Sequence, residues 1–205
     1  MSSGTAIPLK NARAVAVELL DRLMPACERG AIAGSIRRQR PEVNDIELVV
    51  VPSFQERVGE DLWGTPHEAD LLTERLGWMV VAGEIRPRVI EVHRSDGTIE
   101  QSHRDGDSYK ALEYRGLPVD LFVVRPPADW GVIVTIRTGP ADWSHRLVTD
   151  CQRYLRCVAG GRLYRSGQYV PCHEELDFFR GIGQEWVEPW ERSAERVLIQ
   201  PRVAA

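Results

Sequence analysis

Residues 119–124 read VDLFVV, an apolar β-type run with one carboxylate inside it. Alternate residues of a strand share a face, so Asp120 shares its face with Phe122 and Val124. An ionised carboxylate in such company is costly without a partner. Asp120 therefore needs a cation, a hydrogen-bond network or access to water. A second run, DIELVVVP at 45–52, makes the same demand twice. Asp45 and Glu47 fall on one face of it, Ile46 and Leu48 on the other. If the two strands are neighbours, three carboxylates converge and raise one another's proton affinity. Divalent cations remove that conflict. Mg2+ prefers oxygen ligands and keeps waters that phosphate can replace. Two such ions about 4 Å apart can clamp the attacking and leaving oxygens of phosphoryl transfer.

The segment before the second run supplies the complementary groups. AGSIRRQRPEVN, at 33–44, reads as a Gly-Ser turn, an arginine pair and a polar loop. Gly34 permits close backbone approach. Ser35 offers a hydroxyl and an N–H at a helix start, where anions bind. Arg38 adds a charged fork suited to a triphosphate. Singly, each feature has an ordinary reading: a solvated strand face, a turn, surface arginines. The specific signal is the joint arrangement, with Asp45 eleven residues after Gly34 and a lone Asp120 in a distant apolar strand.

The rest of the chain reads as mixed α and β structure. Apolar residues at Ala12, Val15, Ala16, Leu19, Leu20 and Leu23 predict an amphipathic helix over 8–24, closed by Pro25. Residues 31–33 read as a short strand. Residues 53–107 give the weakest pattern: a helix over 66–76, β-like patches over 84–100 around a turn at 95–97, and a polar loop at 102–107. Residues 109–114 and 117–124 predict a hairpin turning at Arg115-Gly116. Pro126-Pro127 ends it and marks the expected boundary between a domain at 1–126 and a smaller one at 127–205. Helices are expected over 128–137 and 141–158, separated by Thr138-Gly139-Pro140. Short strands around Ser166-Gly167 and a helix over 173–179 follow.

Composition narrows the setting. The 205 residues are 43% hydrophobic and 27% charged, enough for one domain or two small ones. No run of apolar residues is long enough to span a membrane, and no signal-peptide pattern opens the chain. Four cysteines in this length do not form a disulfide framework, so the expectation is a cytoplasmic protein with reduced thiols. Cys151 and Cys157 lie six apart, and with Cys172-His173 they lack the usual zinc-ligand spacing. The net charge is -4, unlike a protein that lives by non-specific DNA binding. Locally, residues 131–170 hold six arginines against two aspartates, and residues 171–192 hold six acids against two arginines. Lys10 and Lys110 are the only lysines, and Lys110 is within reach of phosphate if it lies near the start of the strand that partners Asp120.

The combination resembles the nucleotidyltransferase superfamily and, more closely, the family X DNA polymerases, the group that contains DNA polymerase beta. The family's palm opens on G-S-x-R-R, continues with D-x-D at this spacing and closes on a V-D-L strand. Here these read Gly34-Ser35-Ile36-Arg37-Arg38, Asp45-Ile46-Glu47 and Val119-Asp120-Leu121. Thr138-Gly139 matches the family's nucleotide-binding turn, and residues 161–192 look like its thumb. The likeness covers 7–192 and is weakest over 53–107. It implies an α+β nucleotidyltransferase palm, a mixed sheet packed on helices, followed by a small α/β thumb.

It also implies an activity. Asp45, Glu47 and Asp120 would be catalytic and would hold two Mg2+ ions, with Mn2+ as a substitute. Gly34, Ser35, Arg38, Asn44, Thr138, Gly139, Trp143 and Ser144 would line the nucleotide site. A primer 3′-hydroxyl would attack the α-phosphorus of a nucleoside triphosphate and release pyrophosphate. The chain departs from the family at three places. Glu47 replaces an aspartate, which moves its oxygens by about a bond length; a misplacement near 1 Å can cost about 100-fold in rate. Ile136-Arg137 replaces an aromatic pair; an arginine there reaches for a phosphate or a ribose 2′-hydroxyl, leaving the choice of sugar open. Ser144, beside Trp143, replaces an asparagine. With no helix-hairpin-helix segment before residue 7, the expectation is a monomer without lyase activity that grips a DNA primer-template weakly. Two alternatives stand beside the polymerase reading. One is a non-templated nucleotidyltransferase acting on RNA, a small molecule or a protein. The other is a non-catalytic nucleotide-binding module.

Overall fold

The computed structural model describes residues 6–59, 64–93, 98–103, 105–153 and 156–193. A two-residue strand, β1 (Ile7–Pro8), leads into α1 (Leu9–Leu23). This helix buries Ala12, Ala16, Leu19 and Leu23, the single apolar stripe that helical spacing produces. A 3-10 turn carrying Pro25 ends it. Then come β2 (Cys27–Ile32), the one-turn helix α2 (Gly34–Arg37), β3 (Glu42–Val43) and β4 (Ile46–Pro52). β2 is twice as long as the short strand expected at 31–33, and Asp45 sits just before β4 rather than within it.

The weakly patterned middle is mostly β structure. β5 (Phe54–Val58) and β6 (Pro66–Asp70) pair as an antiparallel ribbon, followed by α3 (Leu71–Val81). The helix expected over 66–76 therefore starts five residues late. Its cap is Asp70, which accepts from the Thr73 N–H at 3.0 Å, a standard way to satisfy a free helix-end donor. The preceding residues pair with β5 instead. β7 (Ile85–Pro87) joins the main sheet, and β8 (Val89–His93) with β9 (Ile99–His103) makes a second ribbon. The turn expected at 95–97 lies outside the described residues. β10 (Tyr109–Tyr114) and β11 (Leu117–Val123) form the predicted hairpin. Its turn places Arg115 at φ 50° and Gly116 at φ 74°, the left-handed pair that a two-residue hairpin requires.

The main sheet is mixed, in the order β2-β4-β11-β10-β7. β4 and β11 run parallel and the other neighbours antiparallel. Helices α1 and α3 contribute Leu19, Leu23, Leu72, Leu76 and Met79 to one core with Ile46, Leu48, Val119 and Leu121 of the sheet. The other face buries Val49, Phe122 and Val124 against Val134 of α4 (Trp130–Thr138).

Beyond α4 lie α5 (Ala141–Arg153), the antiparallel strands β12 (Arg156–Ala159), β13 (Arg162–Arg165) and β14 (Gln168–Val170), and α6 (Glu175–Ile182). The expected helix over 141–158 ends at Arg153, because the chain is drawn into the pairing of β12 with β13. Glu174 and Asp177 form a reciprocal capping box at the start of α6, and Gly183 closes it at φ 73°. A second core gathers here around Trp143, Phe178, Phe179 and Leu163. No described helix is long and apolar enough to cross a membrane.

Candidate functional site

The parallel pairing of β4 and β11 sets the site. Its register puts Asp120 directly beside Glu47, and Asp45 precedes Glu47 by two residues on the same face. The turn into α2 packs against them. The Ala33 N–H donates to the Glu47 carbonyl at 2.8 Å. Gly34 follows at φ +58°, and a Cβ there would lie 1.6 Å from Glu47 Oε2. Only glycine fits, both for its left-handed backbone and because the Glu47 carboxylate fills the space. Ser35, Arg38, Asn44, Asp45 and Glu47 line a pocket of about 610 Å³, together with Arg137, Gly139 and Ser144. The two sequence-distant halves, around 34–47 and 137–144, thus meet at one cavity.

The electrostatics of the carboxylates are unbalanced. Neither Asp45 nor Glu47 accepts a hydrogen bond from a described residue. Burial pushes the Glu47 carboxyl up to about 7, with Asp45 adding to the effect and Arg38 opposing it. Burial also raises Asp45 above its ordinary value, helped by the charge of Asp120. Asp120 is differently placed. Its Oδ1 accepts from Arg88 Nη2 at 2.5 Å and from the Tyr109 hydroxyl at 3.0 Å. Among the described residues no three His, Cys, Asp or Glu side chains stand as a ready metal cage. Asp45 and Glu47 nonetheless fit a divalent cation: two adjacent oxygen donors, partly desolvated and without a hydrogen-bond donor among the described residues.

The arginines expected near phosphate are engaged with the protein. Arg38 Nη1 donates to the Thr138 carbonyl at 2.7 Å, and its Nε is buried without a partner. Arg37 Nη1 donates to Thr138 Oγ1 at 2.7 Å and its Nη2 pairs with Glu175 Oε2. Glu175 Oε1 accepts from Arg192 Nη1 at 3.1 Å. The fully buried Arg192 guanidinium lies 5.2 Å from the Trp143 ring, 5.3 Å from Phe179 and 5.2 Å from Trp186. Thr138 is thus a buried junction that fixes the turn, not a wall of the pocket.

No protein-family model matches the chain, and no curated protein is significantly similar to it.

Of the residues expected to bind nucleotide, Trp143 is misplaced by the sequence reading. It is 1% exposed and packs with Phe179 at 6.3 Å between ring centroids. Its ring would stand 2.2 Å from a Cβ on Gly139, so it buttresses the turn from behind and is not open to stack on a base. Ser144 donates its hydroxyl to the Ile136 carbonyl at 2.7 Å, tying α5 to α4. Lys110 pairs with Asp105. Cys27 and Cys172 are buried free thiols whose pKa burial raises to about 11 and about 12, which makes them inert.

Two neighbours of the site escape the sequence and a third does not. Arg88 comes from the weakly patterned middle, where no periodicity points it at Asp120. Glu175 is hidden in an acidic run that reads as solvated. Tyr109 was within reach: in the hairpin it pairs with Phe122, which shares the Asp120 face.

Proposed function

We propose that this chain is a metal-dependent nucleotidyltransferase of the family X DNA polymerase type, built on the nucleotidyltransferase fold. It would add a nucleoside monophosphate from a nucleoside triphosphate to a primer 3′-hydroxyl. One observation carries the reading. Asp45 and Glu47 face the pocket with no hydrogen-bond donor among the described residues, Glu47 held near 7, next to Asp120 and opposite the Gly34-Ser35 turn. Unpaired carboxylates converging on a cleft are a mark of a working site.

Asp45 and Glu47 would hold Mg2+, with Mn2+ as a substitute, and Asp120 stands beside them. When bound, the cation neutralises the carboxylates and polarises the phosphate under attack. Gly34 lets the α2 turn approach without a side chain in the way. Ser35 offers its hydroxyl to phosphate oxygens. Asp120 keeps Oδ2 as an acceptor for the proton of the attacking hydroxyl. The new bond joins that oxygen to the α-phosphorus, the bond from the α-phosphorus to the bridging oxygen breaks, and pyrophosphate leaves with the electron pair.

Primer extension across a single-nucleotide gap tests this. The expected result is incorporation with Mg2+ or Mn2+ that falls about 10²- to 10³-fold in Asp45→Asn, the cost of removing one preorganised electrostatic partner. No incorporation by the wild type with either metal, or full incorporation by the variant, would sink the proposal. The net charge of -4 favours a second reading, transfer to an acceptor other than long DNA. Radiolabelled nucleotide offered with RNA, protein and primer-template acceptors in parallel separates the two.

A further inference from the structure

Arg38, Arg88 and Arg137 act on the carboxylates, Arg37 is the sequence neighbour of the first, and three of these four are spoken for. Arg37 is divided between Thr138 Oγ1 and Glu175. Arg38 is turned to the Thr138 carbonyl. Arg88 is paired with Asp120. Arg137 alone makes no hydrogen bond or ion pair with a described residue.

Its placement is nevertheless fixed. Arg137 lies in the last turn of α4, lines the 610 Å³ pocket and is exposed to it. Its guanidinium carbon sits 4.0 Å from the centroid of the Phe122 ring. Phe122 in turn stacks on Tyr109 at 5.2 Å. A guanidinium laid on an aromatic ring uses its face and leaves the in-plane N–H fork free. That fork matches a phosphate bidentately. Because packing on Phe122 already orders the side chain, little further entropy is lost on binding.

We infer that Arg137, and not Arg38, is the arginine that grips the phosphates of the bound nucleotide. The inference rests on reading this pocket as the nucleotide site. It makes the residue that departs from the polymerase pattern the one that sets affinity for the triphosphate. It also assigns Arg38 to holding the Thr138 turn in place.

Calorimetric binding of Mg2+–tripolyphosphate, a probe with phosphates and no base or sugar, tests it. Arg137→Ala should weaken binding at least 10-fold, Arg137→Lys less because a lysine cannot form the fork, and millimolar guanidinium chloride should restore part of the loss in Arg137→Ala. A structural role would not respond to added guanidinium, and melting curves confirm that the variants fold. Wild-type binding that depends on Asp45 but not on Arg137 overturns this inference and leaves the nucleotidyltransferase reading intact. Binding that depends on Arg137 in a protein that incorporates no nucleotide does the reverse. No binding by the wild type overturns both.

Discussion

Two arginine–carboxylate clusters lie on either side of Thr138, and they are built from the same side chains to opposite ends. In the sealed one, both oxygens of Glu175 meet a guanidinium, Arg37 on one side and Arg192 on the other. In the open one, Asp45 and Glu47 have no such partner among the described residues, although Arg38 and Arg137 line the same pocket. The difference lies in where the arginines are pointed. Arg38 gives its donor to a carbonyl and Arg137 lies on a ring. Paired charges in a low-dielectric interior hold elements in register, whereas unpaired ones keep interaction energy available for a ligand. Arg37 and Arg38, adjacent in sequence, serve the two clusters through the two oxygens of Thr138.

Breaking the sealed cluster gives the largest effect. Glu175→Ala leaves Arg192, 0% exposed, without its anion. Removing one member of a buried ion pair costs about 3–5 kcal/mol, which in a chain of this size lowers the melting temperature by about 10 °C. A melting curve within about 2 °C of the wild type would show that the cluster does not hold α6 to the rest.

The open cluster should respond with the opposite sign. Burial and Asp45 raise the Glu47 carboxyl from 4.5 to about 7. Between those values the folded protein keeps a proton that the unfolded chain has released. Stability is therefore lost as pH rises through that window, by about 3 kcal/mol in all. Glu47→Gln, neutral throughout, should be more stable than the metal-free wild type by about that much at pH 8 and level with it near pH 4.5. Urea unfolding at the two pH values reads the gap, and adding Mg2+ at pH 8 should narrow it. A pH-independent difference would show that Glu47 is compensated after all.

An exposed pair provides the lower bound. Arg57 and Glu74 meet at 2.7 Å with side chains 43% and 41% exposed. Solvent screens such a pair, so Arg57→Ala should change unfolding free energy by less than about 0.5 kcal/mol. A larger loss would mean that the β5–β6 ribbon depends on charge rather than on backbone pairing.

The open cluster was the more legible of the two. Gly34, Ser35, Asp45, Glu47 and Asp120 each violate a local expectation: a carboxylate in an apolar run, or a glycine before an arginine pair. Such violations stand out in one dimension. The sealed cluster violates nothing locally, since Glu175 sits in an acidic run and Arg192 near a polar tail, and only tertiary packing buries them together. Trp143 misled for a related reason. The resemblance set it among the nucleotide-site residues, yet its ring fills the space behind the turn at Gly139. Strands whose two faces differ in polarity, such as β11, announced themselves. β5 and β6, which are almost wholly exposed, have no buried face to impose alternation. Residues 66–70 therefore resembled the first turn of the helix that follows them.

The parallel seam between β4 and β11 joins residues 46–50 to residues 119–123. Each flank can form early from its own neighbourhood, β2 with β4 and β10 with β11. Their union must wait until the second hairpin is present, so the pocket cannot precede that closure. Long-range pairing of this kind slows folding. Once that closure is made, extra length between the two halves costs little, about 0.6 kcal/mol for each doubling of the loop. The intervening ribbons are consequently the part of the molecule in which insertions and deletions can accumulate while the carboxylates keep their places.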